Sequence, residues 1–226
     1  MKILITGSSG FIGFHLSKLL LEKGNIIHGI DSMNNYYDVN LKKARLKILL
    51  KYKKFSFSKI DLENNQKIEN IFKKFKPKIV IHLAAQAGVR YSIEKPRVYL
   101  NSNIDGTFNV IESSHKVRVN HLIMASSSSV YGANKKKPFK EIDKTETQLS
   151  IYASTKKANE SMAHSYSNIW NIPITMLRFF TVYGPWGRPD MALFKFTKGI
   201  LENKKIDIYN NGKMYRDFTY IDDIVN

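Results

Sequence analysis

The spacing of apolar residues constrains the fold of this chain more than any other feature. Short segments rich in β-branched residues alternate with longer segments whose apolar side chains recur at helical spacing. This alternation is typical of βαβ units, in which parallel strands are covered by helices on both faces. The chain is therefore predicted to be an α/β protein built on a parallel sheet.

Six strands and five helices are predicted in strict alternation over most of the chain. The predicted strands run from Lys2 to Thr6, Ile26 to Ile30, Phe55 to Ser58, Lys78 to Leu83, His121 to Ala125 and Ile174 to Phe179. The predicted helices run from Phe11 to Glu22, Leu41 to Lys51, Gln66 to Phe75, Pro96 to Ser114 and Tyr152 to Trp170. This order predicts a doubly wound sheet of Rossmann type, in which ligands bind at the carboxyl ends of the strands.

The pattern changes after Phe180. A loop rich in Gly and Pro follows, then one predicted helix from Ala192 to Glu202 and several short segments. We therefore predict a nucleotide-binding domain over residues 1–180 and the beginning of a smaller substrate-binding domain over residues 181–226. Because a further helix is predicted to start near Ile221, this second domain is expected to be incomplete.

The chain contains no cysteine, which excludes disulfides, thiolate metal sites and a cysteine nucleophile. Its six histidines show no spacing typical of metal ligands, so no metal is predicted. No window approaches the roughly 20 apolar residues of a membrane span. Gly7 to Gly10 interrupt the apolar N-terminus too early for a signal peptide. We expect a soluble cytoplasmic protein with no membrane partner.

The formal net charge of +17 raises the question of a nucleic-acid partner. Most of the 36 basic residues are lysines scattered over predicted helical faces, where solvated ammonium groups are usual. Arginine, which binds phosphate in a bidentate manner, is scarce. We therefore expect no nucleic-acid partner, and a basic RNA-binding domain stays as an alternative. The positive field would instead help to attract an anionic nucleotide.

A glycine-rich segment lies between the first predicted strand and the first predicted helix. It contains Gly7, Gly10, Phe11, Ile12 and Gly13. Glycines let the backbone turn tightly and approach a pyrophosphate, whose charge then meets free N–H groups and the helix N-terminus. An ordinary glycine-rich turn is the simpler alternative, and the position between strand and helix favours a dinucleotide site.

Asp31 strengthens this prediction because it follows the second predicted strand. A carboxylate there accepts hydrogen bonds from both adenosine ribose hydroxyls and repels a 2′-phosphate, so NAD is favoured over NADP. Two further strand ends are candidates for cofactor contacts, although each is equally compatible with a routine strand end. They are Asp61 and Leu62 after the third strand, and Leu83, Ala84 and Ala85 after the fourth.

A candidate catalytic pair lies at the start of the last long helix. Tyr152 and Lys156 are four residues apart, which places a phenol and an ammonium on one helical face. A serine run from Ser126 to Ser129 follows the fifth predicted strand, where this type of sheet presents residues to ligands. Taken singly, the tyrosine is compatible with a surface aromatic and the serines with a polar strand end.

Together these motifs resemble the extended short-chain dehydrogenases, an NAD-dependent epimerase/dehydratase family. That family combines an N-terminal Gly-x-x-Gly-x-x-Gly, a strand-end Ser or Thr and a Tyr-x-x-x-Lys pair. The match covers essentially the whole chain. Four longer stretches are similar to UDP-glucuronate 4-epimerases in particular: residues 84–92, 126–132, 178–191 and 216–220.

The resemblance implies a role for each catalytic residue. Tyr152 is expected to transfer the proton of the sugar C4 hydroxyl, and Ser127 to hydrogen-bond the reacting hydroxyl. Lys156 is expected to activate Tyr152 and to bind the nicotinamide ribose. A free phenol has a pKa near 10, so lowering it by about three units requires roughly 4 kcal/mol of preference for the phenolate. The implied reaction is epimerisation at C4 through a 4-keto sugar, with NAD regenerated in each cycle.

The serine run bears on the choice of substrate within the family. Related dehydratases and uronate decarboxylases carry an acidic residue where this chain has Ser128 and Ser129. We expect these two hydroxyls and Thr181 to bind the carboxylate of a UDP-uronic acid. Arg188 and Arg216 resemble the groups that bind the diphosphate and nucleotide, and Arg90 is a further candidate.

The sequence-based hypothesis is thus a UDP-glucuronate 4-epimerase of polysaccharide biosynthesis, acting on a UDP-sugar as a homodimer. A UDP-glucose-type 4-epimerase and a UDP-glucuronate decarboxylase are alternative enzymes. A different class of alternative is a truncated module that binds NAD without turnover, because members of the family continue beyond the equivalent of Asn226.

Overall fold

The structure, a computed structural model, describes residues 1–213 and 215–226. Its main sheet consists of β1 (Lys2–Thr6), β2 (Ile26–Asp31), β3 (Phe55–Lys59), β4 (Ile79–His82), β5 (His121–Ala125) and β6 (Ile174–Leu177). All neighbouring pairs are parallel, and the strand order is β3-β2-β1-β4-β5-β6. This is the Rossmann order, and it confirms the predicted fold class. The ends of the predicted strands differ from the observed ends by at most two residues.

Helices cover both faces of this sheet. The helices of the described residues are α1 (Phe11–Glu22), α2 (Val39–Leu49), α3 (Asn65–Phe75), α4 (Tyr91–Glu94), α5 (Pro96–Tyr99), α6 (Gly106–Lys116), α7 (Ile151–Trp170), α8 (Ala192–Leu201) and α9 (Ile221–Val225), of which α8 and α9 belong to the segment after Phe180. The helix predicted from Pro96 to Ser114 is not a regular α-helix. A π-helical segment, Leu100–Asp105, lies between α5 and α6. The segment spans only six residues, which is too short to show a period of its own, so the sequence was interpreted as one continuous helix.

Side chains on alternate positions of the strands build two apolar clusters. Ile3 and Ile5 of β1 face a cluster with α1 and α2, and Leu4 faces the other cluster with α3, α6 and α7. Because successive residues of a strand point to opposite faces, a strand buried on both sides reads as a continuous apolar run. This burial explains why the strands could be predicted from the sequence.

The N-termini of the helices differ in how they are capped. Ser150 accepts a hydrogen bond from the Ala153 N–H at the start of α7, and Asn64 accepts one from Lys67 N–H at α3. By contrast, α1 begins after Gly10 with no side-chain cap. The first turn of α1 is thus left to interact with a ligand at the carboxyl end of β1.

Residues after Phe180 form a small second sheet. β7 (Thr181–Tyr183) pairs in parallel with β8 (Phe218–Tyr220). The helix α9 follows β8 directly and packs against α1, with Ile221 fully buried. The change of architecture at residue 180 is therefore visible, although this segment rests on the first helix of the main sheet. The division into domains 1–180 and 181–226 stays a prediction.

Candidate active site

The carboxyl ends of the central strands surround one cavity of about 420 Å³. Most of the predicted site residues line this cavity. They are Gly7, Gly10, Phe11, Ile12, Gly13, Asp31, Asp61, Leu62, Leu83, Ala84, Ala85, Ser127, Tyr152, Lys156 and Arg188. Residues distant in sequence are brought together here because the ends of parallel strands meet at one edge of the sheet.

The glycine-rich loop is shaped by close backbone contacts. Gly7 has a φ of +74°, and a Cβ placed there would lie 2.8 Å from the backbone nitrogen of Ala84. A Cβ placed on Gly13 would lie 2.1 Å from the carbonyl oxygen of Gly7. Only glycine fits at both positions, so β1, α1 and the end of β4 approach closely at the floor of the cavity.

Asp31 lies at the end of β2 with its carboxylate held by the backbone. It accepts hydrogen bonds from the N–H of Ser9 at 3.1 Å and of Met33 at 2.9 Å. Burial raises the pKa of Asp31, and these N–H groups together with Lys42 and Arg45 act in the opposite direction. The Asp31 carboxylate is therefore held in a fixed orientation at the cavity wall, as expected for a group that binds a ribose.

The wall next to Asp61 and Leu62 is fixed by α6 and the π-helical segment. Asn109 donates a hydrogen bond to the Leu62 carbonyl at 2.8 Å, and Gly106 packs against the Leu62 side chain. In the loop after β4, the backbone N–H and carbonyl of Gln86 both pair with the side-chain amide of Asn103, which lies in the π-helical segment. Both strand-end loops are thus held by buried amides rather than left mobile.

Tyr152, Ser127 and Lys156, the predicted catalytic residues, line the cavity together. Burial raises the pKa of the Tyr152 phenol, whereas hydrogen bonding with Ser127 and the positive charge of Arg188 lower it. The phenol is thus protonated at neutral pH in the structure as it stands. Its conversion to a base requires additional positive charge in the cavity.

Lys156 is buried beneath the cavity and donates a hydrogen bond to the carbonyl of Ala125 at 2.9 Å. Burial lowers its pKa to about 8. His82 lies in the same buried layer, hydrogen-bonded to Thr6 and Thr107, and burial followed by the charge of Lys156 lowers its pKa to about 3. The layer behind Tyr152 therefore contains one cation and a neutral imidazole.

The four serines after β5 have different environments. Ser126 donates a hydrogen bond at 2.6 Å to Glu160, whose carboxylate is held by both nitrogens of the Arg178 fork. Ser127 faces the cavity, and its hydroxyl caps a short 3₁₀ turn over Ser128–Tyr131. The run thus combines a structural anchor, Ser126, with a cavity residue, Ser127.

Five predicted substrate residues are not among the residues that line the cavity in the described chain. Ser128 and Ser129 lie in the 3₁₀ turn, and Thr181 begins β7. Arg216 and Arg90 are exposed. These assignments stay predictions.

Arg188 reaches the cavity from the loop that follows β7. Its guanidinium binds Asp190 through two nitrogens, Nε at 3.0 Å and one terminal nitrogen at 2.5 Å. The phenol of Tyr36 donates to the same carboxylate at 3.3 Å. Arg188 is therefore positioned by a carboxylate two residues away and by a tyrosine from the loop after β2.

Sequence reasoning missed several polar residues around the cavity. Tyr36 and Lys42 line it, Asp190 holds Arg188 there, and Arg45 is fully buried on α2. An Arg-x-Asp spacing was available for Arg188 and Asp190. No local signal marks Arg45, because three of its four hydrogen bonds go to backbone carbonyls remote in sequence.

Two features are absent from the described ranges, residues 1–213 and 215–226. No group of three or more His, Cys, Asp or Glu side chains is arranged to hold a metal ion there. Likewise, none of the helices in those ranges has the length and apolar character needed to cross a bilayer.

Comparison with known proteins agrees with the geometry of this cavity. A family model for the NAD dependent epimerase/dehydratase family matches residues 3–226. The chain belongs to this family. Protein CapI of Staphylococcus aureus is 58% identical over 225 residues, covering 100% of this chain and 67% of that protein. A probable UDP-glucuronate 4-epimerase of Rhizobium meliloti (strain 1021) is 50% identical over 225 residues, covering 100% of this chain and 66% of that protein.

Solved structures show the same relationship. The UDP-glucuronic acid 4-epimerase of Bacillus cereus, in complex with UDP-glucuronic acid and NAD, superposes with a TM-score of 0.94 at 37% identity. The match covers 100% of this chain and 71% of that one. The chain thus spans about two thirds of the length of the curated relatives and slightly more of this structural neighbour.

The residues of the cavity fit NAD, the cofactor of this family. A Cβ at Gly7 or Gly13 would collide with neighbouring backbone, so these glycines let β1, α1 and the end of β4 pack closely and leave the uncapped start of α1 at the cavity, where a pyrophosphate would bind. Asp31 is oriented for the adenosine ribose, and Ala84 and Ala85 leave room beyond β4. Lys156 and Tyr152 lie at the end where a nicotinamide ribose would be held.

Proposed function

We propose that this protein catalyses NAD-dependent epimerisation at C4 of a UDP-uronic acid, converting UDP-glucuronate to UDP-galacturonate through a 4-keto sugar. The observation that carries the proposal is the placement of Tyr152, Ser127, Lys156 and Arg188 around one cavity with the glycine-rich loop. Relatives named UDP-glucuronate 4-epimerase support the choice of reaction.

In this proposal Tyr152 moves a proton and Ser127 orients the sugar. Tyr152 accepts the proton of the C4 hydroxyl and later returns it, while Ser127 hydrogen-bonds the same oxygen. NAD, when bound, supplies the hydride acceptor and donor at C4 and brings positive charge to the cavity. Arg188 already lowers the pKa of Tyr152, and Lys156 adds a second cation in the layer beneath.

The substrate carboxylate is proposed to be held by Ser128, Ser129 and Thr181. The N–H of Ser128 is bonded to the carbonyl of Phe179 at 2.9 Å, which keeps the 3₁₀ turn beside the chain that leads to Thr181. A 4-keto uronic acid is a β-keto acid that loses CO₂ when its carboxylate aligns with the carbonyl. Neutral hydroxyls that restrain the carboxylate therefore favour epimerisation over decarboxylation.

The proposed function is tested by incubating the purified protein with NAD and UDP-glucuronate. We expect UDP-galacturonate, separated by anion-exchange chromatography, with no UDP-pentose. The substitution Tyr152→Phe should abolish this product while NAD remains bound, because only the phenolic oxygen is removed. Tyr215→Phe is the matched control, since the Tyr215 side chain is exposed.

Other products would replace the proposal with one of its alternatives. Release of CO₂ and UDP-pentose would indicate a decarboxylase, and turnover of UDP-glucose alone would indicate a neutral-sugar epimerase. NAD binding without any turnover would indicate a binding module. Full activity of Tyr152→Phe would refute the assigned chemistry.

The remaining proposals concern assembly and context. Exposed apolar side chains on the π-helical segment, α6 and α7, namely Leu100, Phe108 and Ile169, support the proposed homodimer through these helices. A cytoplasmic location, a role in polysaccharide biosynthesis and nucleotide contacts from Arg216 and Arg90 stay predictions from the family resemblance.

A further inference from the structure

Arg45, on α2, is a fully buried cation that sequence reasoning assigned to no site. Its guanidinium donates four hydrogen bonds. One terminal nitrogen binds the carbonyl of Ser9 at 3.1 Å and the hydroxyl of Tyr37 at 2.8 Å. The other binds the carbonyls of Trp186 at 2.5 Å and Gly187 at 3.2 Å. One planar group thus joins segments more than a hundred residues apart in sequence.

Both segments that Arg45 joins contribute residues to the cavity, Gly7 and Gly10 from one and Arg188 from the other. Ser9 lies within the glycine-rich loop, on which a pyrophosphate is expected to bind. Trp186 and Gly187 immediately precede Arg188, whose side chain lines the cavity beside Tyr152. We name residues 184–190 the arginine loop. Arg45 is therefore a link between the glycine-rich loop and the arginine loop.

Other contacts of the arginine loop reach different parts of the fold. His15 on α1 is within 2.9 Å of the carbonyl of Pro185, and the ring of Phe14 lies 5.7 Å from that of Trp186. The phenol of Tyr36 donates to Asp190. These contacts rest on α1 and on the loop after β2. Arg45, by contrast, bonds both to the arginine loop and to the carbonyl of Ser9 within the glycine-rich loop.

The charge of Arg45 is buried, and its stabilisation depends on both loops. In the described part of the chain Arg45 forms no ion pair within 4.0 Å, and its Nε has no hydrogen-bond partner. Its charge is therefore compensated by carbonyl and hydroxyl oxygens of loops and, at longer range, by the carboxylate of Asp31, whose pKa it lowers. Withdrawal of either loop would leave guanidinium N–H groups unsatisfied in the interior, which is unfavourable. The positions of the two loops are consequently interdependent.

We propose that Arg45 is a positioning residue that couples the NAD site to the nucleotide-sugar site, so that NAD binding at the glycine-rich loop sets the arginine loop and Arg188. The two ligands then bind with positive cooperativity, and by linkage each raises the affinity of the other by the same factor. This inference rests on the proposed function only for the identity of the second ligand.

The first experiment measures the response of the arginine loop to NAD. The chain contains two tryptophans, so Trp170→Phe leaves Trp186 as the sole indole emitter. In this background, NAD titration should change the emission of Trp186, while calorimetry reports NAD affinity independently. When Arg45→Lys is added to this background, the emission of Trp186 should no longer change during the NAD titration, although NAD still binds. Lysine keeps the charge but lacks the fork that reaches both loops.

The second experiment measures coupling directly with UDP as the probe. We expect NAD to tighten UDP binding by about tenfold in the parent protein, within the usual range of coupling. In Arg45→Lys the same comparison should give a factor of about two or less. Lys47→Met is the matched control, because Lys47 is exposed on the same helix, and it should retain the parental factor.

Several outcomes would overturn the proposal. These are an unchanged coupling factor in Arg45→Lys, or a parent protein in which NAD alters neither Trp186 emission nor UDP affinity. Should Arg45→Lys fail to fold, as judged by circular dichroism, Tyr37→Phe removes one acceptor of the guanidinium. That variant should reduce the factor to about threefold, and an undiminished factor would refute the link.

The readouts separate this inference from the proposed function. Both experiments measure binding and need no turnover. Intact coupling without epimerisation would remove the proposed reaction and leave the role of Arg45 standing. Epimerisation with coupling that survives Arg45→Lys would do the reverse.

Discussion

The two sides of the cavity are built by different means. On the cofactor side, backbone meets backbone at Gly7 and Gly13, and Asp31 is held by two backbone N–H groups. On the side proposed to hold the substrate, side chains hold side chains: Asp190 binds Arg188 and accepts a hydrogen bond from Tyr36. The first arrangement depends on local shape and the second on pairing between distant loops. They should therefore fail in different ways when mutated.

The largest effect is expected from adding one methyl group on the cofactor side. Gly13→Ala places a Cβ where the carbonyl of Gly7 lies 2.1 Å away, so the loop and α1 must separate. We expect a loss of about 3 kcal/mol in the free energy of unfolding, and NAD affinity reduced by about a hundredfold in the protein that remains folded. Denaturant titration and calorimetry measure the two quantities.

The control for this prediction is Gly24→Asn. Gly24 also has a positive φ, of +83°, but its added Cβ would approach nothing nearer than the Lys54 amine at 4.0 Å. Asn tolerates this backbone conformation, so NAD affinity should be unchanged. Parental NAD binding in Gly13→Ala would show that the cofactor side does not depend on backbone shape.

An intermediate effect is expected at the floor shared by both sides. Burial lowers the pKa of Lys156 to about 8 from 10.5, so below pH 8 the native state carries a buried charge at a cost of about 3 kcal/mol. Lys156→Met should therefore increase the free energy of unfolding at pH 7 by up to about 3 kcal/mol, less the lost bond to Ala125. This gain in stability should shrink as pH rises from 8 to 10.5, because Lys156 loses its proton at a lower pH in the native state than in the unfolded state.

Denaturant titrations of both proteins at pH 7 and pH 10 measure this difference. Lys43→Met, at an exposed position of α2, should show no comparable gain. A Lys156→Met protein that is less stable at pH 7 and unchanged at pH 10 would contradict the assigned cost of the buried charge. The same variant should bind NAD more weakly, which would place Lys156 on the cofactor side in function as well as position.

The smallest effect is expected on the substrate side. Asp190→Asn removes the carboxylate that holds Arg188, whose side chain is only 24% exposed. We expect about a fivefold rise in the KM for UDP-glucuronate, near 1 kcal/mol for a partly exposed pair, with NAD affinity unchanged. Because the charge of Arg188 lowers the pKa of Tyr152, its displacement should move the acid limb of the pH–activity profile to higher pH.

Asp207→Asn, at an exposed position, is the control and should leave both KM and the profile as in the parent protein. An unshifted profile in Asp190→Asn would mean that Arg188 does not influence Tyr152 through this clamp. A large fall in NAD affinity would instead erase the distinction between the two sides.

The difference between the two sides of the cavity also explains which features could be predicted from the sequence. The strands, the glycine-rich loop and Asp31 were all predicted because their signals are local: apolar runs, glycine spacing and a residue at a strand end. Tyr152 and Lys156 were predicted for the same reason, since four residues make one turn of a helix. In each case the residues that act together are neighbours in the chain or in the regular order of the sheet.

The missed features depend on contacts without a local signal. The role of Asp190 depends on its hydrogen bond with Tyr36. The role of Arg45 depends on its hydrogen bonds to the carbonyls of Trp186 and Gly187. A carbonyl acceptor is present at every residue, so no residue type marks it. The parallel pairing of β7 with β8 was also missed, because two strands of three residues each carry too short a pattern to be recognised.

The π-helical segment Leu100–Asp105 has a consequence for the phase of its helix. Each residue of an α-helix advances the side chains by about 100° around the axis, so a wide turn rotates everything before it relative to everything after it. Deleting one residue here would restore a regular helix. Tyr99 and Asn103 would then rotate away from the loop after β4, while α6 kept its packing. The extra rotation that this turn introduces thus determines which residues of the continuous helix face the cavity and which face the core.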